Sequence, residues 1–335
     1  MRRPALRRLI FMLPPALLVV LAGLGLTTWL GLPRPLSEAE MAATYDAPRA
    51  PAPPARAVFH LGHSLVGRDM PAMLAQLAGP EHRHESQLGW GTSLKAHWEP
   101  EMEIAGFEAE NDHPRARPAA EALASGDYDA VVLTEMVEIR DAIRYHDSDL
   151  YLRRWVERAR AGNPQAELFL YETWHPLDDP DGWLARIDGD LDRHWLGEVL
   201  HPALAAMPEA ERGPVYLIPG GQVMAALVRR IEDGAGLSGL SDRTALFSRG
   251  PDGTQDQIHF NDHGAYLIAL THYAVLYMRS PVGLPHDLLR ADGTPMTPLA
   301  PEAAAAMQQV VWDVVAAMPL TGIDGATGET GPSGG

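Results

Sequence analysis

The sequence predicts an α/β fold built on a central parallel sheet and preceded by an N-terminal transmembrane helix. Three observations predict it: short apolar runs alternate with helical patterns from residue 57 onward, those runs lack polar alternation, and a basic start leads into a long apolar stretch. Strands are expected at Ala57–Leu61, His84–Leu88, Ala130–Thr134, Glu167–Tyr171 and Val215–Ile218. Helices are expected at Met70–Leu77, Pro118–Ala124, Tyr151–Ala161, Trp183–Met207, Gln222–Ile231, His263–Met278 and Pro301–Met318. Strands separated by helices imply crossover connections and parallel pairing. Bare apolar runs fit strands buried on both faces.

The first 32 residues contain no acidic residue, and Arg2, Arg3, Arg7 and Arg8 precede an apolar stretch from Leu9 to about Leu32. Roughly 20 apolar residues span a bilayer. The basic flank stays cytoplasmic, which places the rest of the chain on the periplasmic or extracytoplasmic side as a single-pass inner-membrane protein. The rival reading is a cleaved signal peptide, whose apolar core runs about 7–15 residues before a small-x-small site. No clean site is present at Thr27-Thr28-Trp29-Leu30, which favours an uncleaved anchor. Residues 33–56 are rich in Pro and Ala and read as a semi-extended spacer. The catalytic-sized domain is expected over 57–320, and the Gly/Thr/Ser-rich residues 321–335 read as a disordered tail.

Setting aside those four of the 27 basic residues leaves 23 against 44 acidic ones, a formal charge of −21 beyond the N-terminal segment. Such a surface repels nucleic acid at long range, so no nucleic-acid partner is expected. The absence of cysteine excludes disulfides, thiolate metal sites and a cysteine nucleophile. A domain of this size can rely on its core alone.

Two short segments carry candidate chemistry. Gly62-His63-Ser64-Leu65 follows the first strand, which places Ser64 at the carboxyl edge of the sheet, where ligands bind in such folds. Asp256-Gln257-Ile258-His259 offers an acid and an imidazole three residues apart. Serine needs a base to take its proton, histidine suits that task near neutral pH, and an acid fixes the imidazole tautomer. Each segment alone is a common turn pattern.

Together with Gly89-Trp90-Gly91-Thr92, these segments resemble three of the four blocks of the SGNH (GDSL-type) hydrolase superfamily, in order and approximate spacing, over about residues 57–280. The resemblance implies a flavodoxin-like three-layer α/β/α sandwich, with Ser64 as nucleophile, His259 as base and Asp256 as orienter. It also implies an oxyanion hole from the Ser64 amide, a second-block glycine (Gly91, with Gly89 as alternative) and a third-block asparagine. Two positions depart from the family pattern. His63 stands where an aspartate is usual, and Leu133-Thr134-Glu135-Met136 replaces the third block, so that no asparagine follows that strand. The Thr134 hydroxyl or a backbone amide is the candidate replacement. An ionised Glu135 would repel an oxyanion unless it is protonated or turned away. The α/β-hydrolase elbow Gly-x-Ser-x-Gly is missing.

Trp174 and His175, after the fourth strand, are candidates for lining a sugar-sized substrate pocket; covering the sheet end is the plainer role for Trp174. His82, His84, His97, His175, His259 and His263 raise a metal hypothesis, but no His-Glu-x-x-His helix exists, and neither a metal nor a cofactor is expected. The resulting expectation is a membrane-tethered serine esterase acting on a small-molecule or glycan ester. The alternative is a non-catalytic SGNH-like domain that binds a glycan or assists polysaccharide modification.

Overall fold

The structure, a computed structural model, describes residues 34–323 except 48, 54, 55 and 235. The expected N-terminal anchor and residues 324–335 of the expected tail lie outside the described residues. Among the described residues no helix is long and apolar enough to cross a membrane.

The five expected strands form one parallel sheet: β1 (Ala57–His63), β2 (Arg83–Gly89), β3 (Ala130–Leu133), β4 (Glu167–Glu172) and β5 (Val215–Pro219), in the order β2-β1-β3-β4-β5. Val58 pairs with His84 on one side and with Ala130 on the other. The chain leaves β1 for β2 and then returns past β1 to β3, so the strand order reverses at β1. In doubly wound sheets that reversal opens a crevice at the carboxyl ends of the two strands. Ser64 is the first residue beyond β1.

Side chains alternate across the strands and feed two cores. Val58, Val132, Phe169 and Ile218 pack with α2 (Asp69–Ala78), α10 (Gly220–Glu232), α11 (Asp262–Tyr277) and α12 (Pro301–Ala317). Phe59, Leu61, Val131, Leu133, Leu170 and Leu217 face α5 (Ala119–Ser125), α6 (Ile139–His146), α7 (Ser148–Gly162) and the segment Trp183–Ala205. That segment was expected as one helix. Instead α8 (Trp183–Asp190) passes into a π-helical stretch, Leu191–Leu200, before α9 (His201–Ala205). Every residue of α11 from Gly264 to Tyr277 is buried, as befits a helix that is apolar nearly all round.

The expectation missed a hairpin outside the sheet, β6 (Phe247–Arg249) with β7 (Gln255–Phe260), antiparallel. Its side chains are mostly half-buried and polar, so no apolar run announces it. Its turn is legible afterwards in Gly250-Pro251-Asp252-Gly253, where Asp252 Oδ1 accepts from Thr254 N at 2.9 Å. Asn261 follows as the N-cap of α11, accepting from the amides of His263 and Gly264. Its Nδ2 donates to Ala245 O and Phe247 O. Glycine is needed at 264, since a Cβ there would lie 2.5 Å from Leu246 O.

The segment read as a spacer belongs to the domain. It forms α1 (Glu38–Thr44) behind a Ser37–Glu40 capping box, and Tyr45 donates its hydroxyl to Val215 O at 2.8 Å. Arg49 and Arg56 are buried against Glu167, which explains why a Pro/Ala-rich stretch is held down. At the other end Thr321 is buried, its hydroxyl donating to Met318 O, and Ile323 is buried beside it. The packed chain therefore runs past residue 320.

Candidate active site

Three side chains from two ends of the domain meet at the carboxyl edge of the sheet. The Ser64 hydroxyl lies 3.0 Å from His259 Nε2, and His259 Nδ1 lies 2.9 Å from Asp256 Oδ2. Asp256 Oδ1 also accepts from the amides of Ile258 and His259, each at 2.8 Å. Burial works against ionising Asp256, but those two amides and the imidazole outweigh it and hold the carboxyl below the ordinary aspartate range. An ionised Asp256 can only accept. His259 therefore carries its proton on Nδ1 and turns the Nε2 lone pair to the Ser64 hydroxyl. The structure thus brings together Ser64, Asp256 and His259.

Two neutral imidazoles hold the end of β1. His63 is fully buried; its Nε2–H donates to Glu135 O at 2.8 Å, and its Nδ1 accepts from Leu65 N at 3.3 Å. Burial is the main force that lowers it to about 4. His97 Nε2–H donates to Gly62 O at 2.8 Å, with Gln87 Nε2 donating to its Nδ1. His63 thus braces the turn carrying Ser64, and it does so uncharged. His97 was missed as a positioning residue, because nothing in the sequence ties it to Gly62.

On the expected oxyanion side, register pairs His63 with Gly89, so Gly91 follows just beyond the Ser64 turn. Gly91 has φ +56° and open space where a Cβ would project. Among the described residues neither its amide nor that of Ser64 donates to a protein acceptor. Gly89 serves packing instead, because a Cβ there would lie 2.2 Å from Ile104 Cγ2. Thr134 does not fill the role expected of it. Its amide donates to Leu61 O at 2.9 Å, and its hydroxyl is buried against Gly62 without a partner. Continuation of the β1–β3 ladder consumes the one donor, and close strand packing seals the other.

Glu135 is turned away from that position. Its Oε1 accepts from Leu94 N at 3.2 Å and Met136 N at 2.8 Å, tying the start of α3 (Leu94–Trp98) to the end of β3. Burial raises its carboxyl to about 7.

Trp174 and His175 are both buried and line no open pocket, which corrects their expected substrate-binding role. Trp174 Nε1 donates to Ile258 O at 2.9 Å, and its ring packs on Phe247 and Phe260, so it supports the hairpin carrying His259. The hairpin covers Trp174, and the His175 ring lies instead beside Asp190, Glu138 and Asp179. His175, with Glu138 and Asp179, forms the one group among the described residues whose ligand atoms lie within 4.8 Å of each other. Arg186 already bonds Glu138 at 2.9 Å and Asp179 at 2.7 Å and supplies the positive charge there. His82, His84 and His263 do not join it; His263 Nε2 faces Pro298 O at 3.3 Å.

No protein-family model and no curated protein matches the chain. Among solved structures it is similar to a DUF4886 family protein from Bacteroides uniformis, at 15% identity over 81% of this chain and 100% of that one, with a TM-score of 0.53. More distant likenesses are to a protein described as a GDSL-like lipase from Parabacteroides merdae (13% identity, 66% of this chain and 95% of that one, TM-score 0.37) and a carbohydrate esterase family 2 enzyme with its carbohydrate-binding domain from Corynascus thermopiles (11%, 69% and 68%, TM-score 0.36). At these identities the first likeness supports the α/β fold and nothing finer.

Proposed function

We propose that the protein is a serine ester hydrolase of SGNH type. The observation that carries this reading is the continuous hydrogen-bond chain from Ser64 through His259 to Asp256, at 3.0 and 2.9 Å. Ser64 Oγ attacks the ester carbonyl while its proton passes to His259 Nε2. The imidazolium is stabilised by Asp256 Oδ2 and then protonates the departing alcohol. Water, deprotonated by the same Nε2, releases the acyl group and restores Ser64. The free amides of Ser64 and Gly91 are the donors for the oxyanion. On the sequence of the first 32 residues, the enzyme is tethered to the inner membrane with this domain on the extracytoplasmic side, where acyl or acetyl esters of envelope or extracellular glycans are the substrate class.

The test is a fluorophosphonate probe with the adduct located by mass, alongside p-nitrophenyl acetate hydrolysis. Labelling at Ser64 that disappears in His259→Ala is expected. Absence of both labelling and hydrolysis would sink the reading. One observation favours a second reading, a glycan-binding SGNH-like domain without turnover: Thr134 leaves the third oxyanion donor unfilled. Glycan binding by a protein inert in both assays would establish it.

A further inference from the structure

A groove of about 1290 Å³ runs from the Ser64 turn along α2 to the outer face of β2. Two stretches of its lining lie near the candidate active site. Gly67 and Arg68 belong to the turn that follows Ser64, and Glu110 accepts from Trp90 Nε1 next to Gly91. Its three carboxylates have local donors: Asp69 takes the amide of Ala291, Glu110 the Trp90 indole, and Asp292 the amide and hydroxyl of Thr294. Arg290 is likewise held, by Asp262 at 2.6 Å.

Two cations in the groove are not held. Arg68 and Arg115 pair with no carboxylate among the described residues; Arg115 makes a single long contact, 3.4 Å, to His84 O. Both guanidinium groups act on one imidazole, since after burial they depress His113. Arg68, His113 and Arg115 all line this one groove. Behind them sit His82 and His84, buried and neutral, with His82 Nε2 and His84 Nδ1 lacking any partner. His82 is fixed from behind through Nδ1, 2.7 Å from the Tyr277 hydroxyl. Unpartnered buried nitrogens behind two unpaired guanidinium groups are costly unless a ligand completes them.

We propose that this groove binds an anionic group on the non-transferred part of the substrate, a carboxylate or a phosphate received by the planar forks of Arg68 and Arg115. The inference rests on the esterase reading above. It also accounts for how an acidic chain takes an acidic ester: the anion is met by fixed donors rather than by the overall field.

The test compares mono-acetylated methyl glucoside, methyl glucuronide and a methyl glucoside phosphate as substrates. One anionic ester is expected to exceed the neutral one by about tenfold or more in kcat/KM, and the Arg68→Gln/Arg115→Gln double variant is expected to lose that advantage while hydrolysing p-nitrophenyl acetate normally. Which anion gains identifies a carboxylate or a phosphate site. Equal rates in the parent protein, or an advantage that survives in the double variant, would overturn the inference. Ser64→Ala, titrated calorimetrically with methyl glucuronide and with inorganic phosphate, gives a readout independent of turnover. Binding that the two arginine substitutions abolish supports the groove even if the esterase reading fails, and no binding of either anion refutes it even if that reading stands.

Discussion

His259 Nε2 stands 3.0 Å from the hydroxyl of Ser64 across a sequence separation of 195 residues. Neither partner's own element makes this contact. It exists because the hairpin β6–β7 is seated over the end of β1, with Asp256 fixing the imidazole by one side-chain and one backbone bond.

Asp256→Asn should separate those two duties. The asparagine Oδ1 can still accept the amides of Ile258 and His259, so the hairpin should keep its shape and the melting temperature should change little. The imidazole loses its orienting anion, and kcat should fall by the order of 10³–10⁴. Steady-state kinetics beside a melting curve reads both; unchanged kcat would remove Asp256 from the triad.

Trp174→Phe tests the support beneath that hairpin. The phenyl ring keeps most contacts with Phe247 and Phe260 but leaves Ile258 O without its donor. A loss of about 1–2 kcal/mol in stability is expected. Because Trp174 touches no open pocket, kcat should fall with KM unchanged; a selective rise in KM would restore it to substrate binding.

Glu135→Gln should show a pH-dependent gain. The carboxyl is raised to about 7 in the fold, above its ordinary 4.5. Its contribution to stability is therefore fully present below about pH 4.5 and lost as pH rises through 7. Glutamine keeps the bonds from Leu94 and Met136 and has no proton to lose. The variant's stability relative to the parent should rise between pH 5 and 8 by up to roughly 3 kcal/mol, read by urea denaturation at each pH. A constant difference would refute the assignment.

Thr134→Val should be silent in catalysis. The hydroxyl is buried without a partner, so a methyl in its place keeps the volume and removes an unsatisfied polar atom. Esterase kcat is expected to stay within about twofold, and stability to hold or improve. A kcat loss of about 10²-fold would return Thr134 to the oxyanion hole.

Acid should unfold the protein early. Burial lowers His63, His97 and His272 to about 4 and His84 to about 3, while unfolded histidine titrates near 6.5. The unfolded chain therefore takes up these protons first. Stability present above pH 6.5 is lost as pH falls through 4. Melting temperature followed by circular dichroism should drop steeply across that window, and a flat profile would contradict it.

Strands β1, β3, β4 and β5 were legible as mainly apolar runs, which parallel burial on both faces demands, whereas the edge strand β2 is mostly polar. That Ser64, Asp256 and His259 meet was legible through block order, since a turn after a strand must deliver its serine to the sheet edge. The roles of Trp174 and Thr134 were not, because each depends on a neighbour distant in sequence: a hairpin roof over Trp174, and the flank of Gly62 against Thr134. The buried arginines Arg49 and Arg56 escaped notice for the same reason, their partner Glu167 lying far along the chain.

The hairpin also sets what inactivation means for this molecule. Asp256 and His259 ride on a strand whose residues are mostly half-buried, whereas Ser64 issues from the middle of a five-stranded sheet between two cores. Elements with few buried apolar contacts open at lower free energy than core strands. Ser64 and His259 are therefore expected to part company on warming while the sheet is still intact. Heat would extinguish the chemistry in a molecule that still looks native to far-ultraviolet light, and cooling would rekindle it without any refolding of the core.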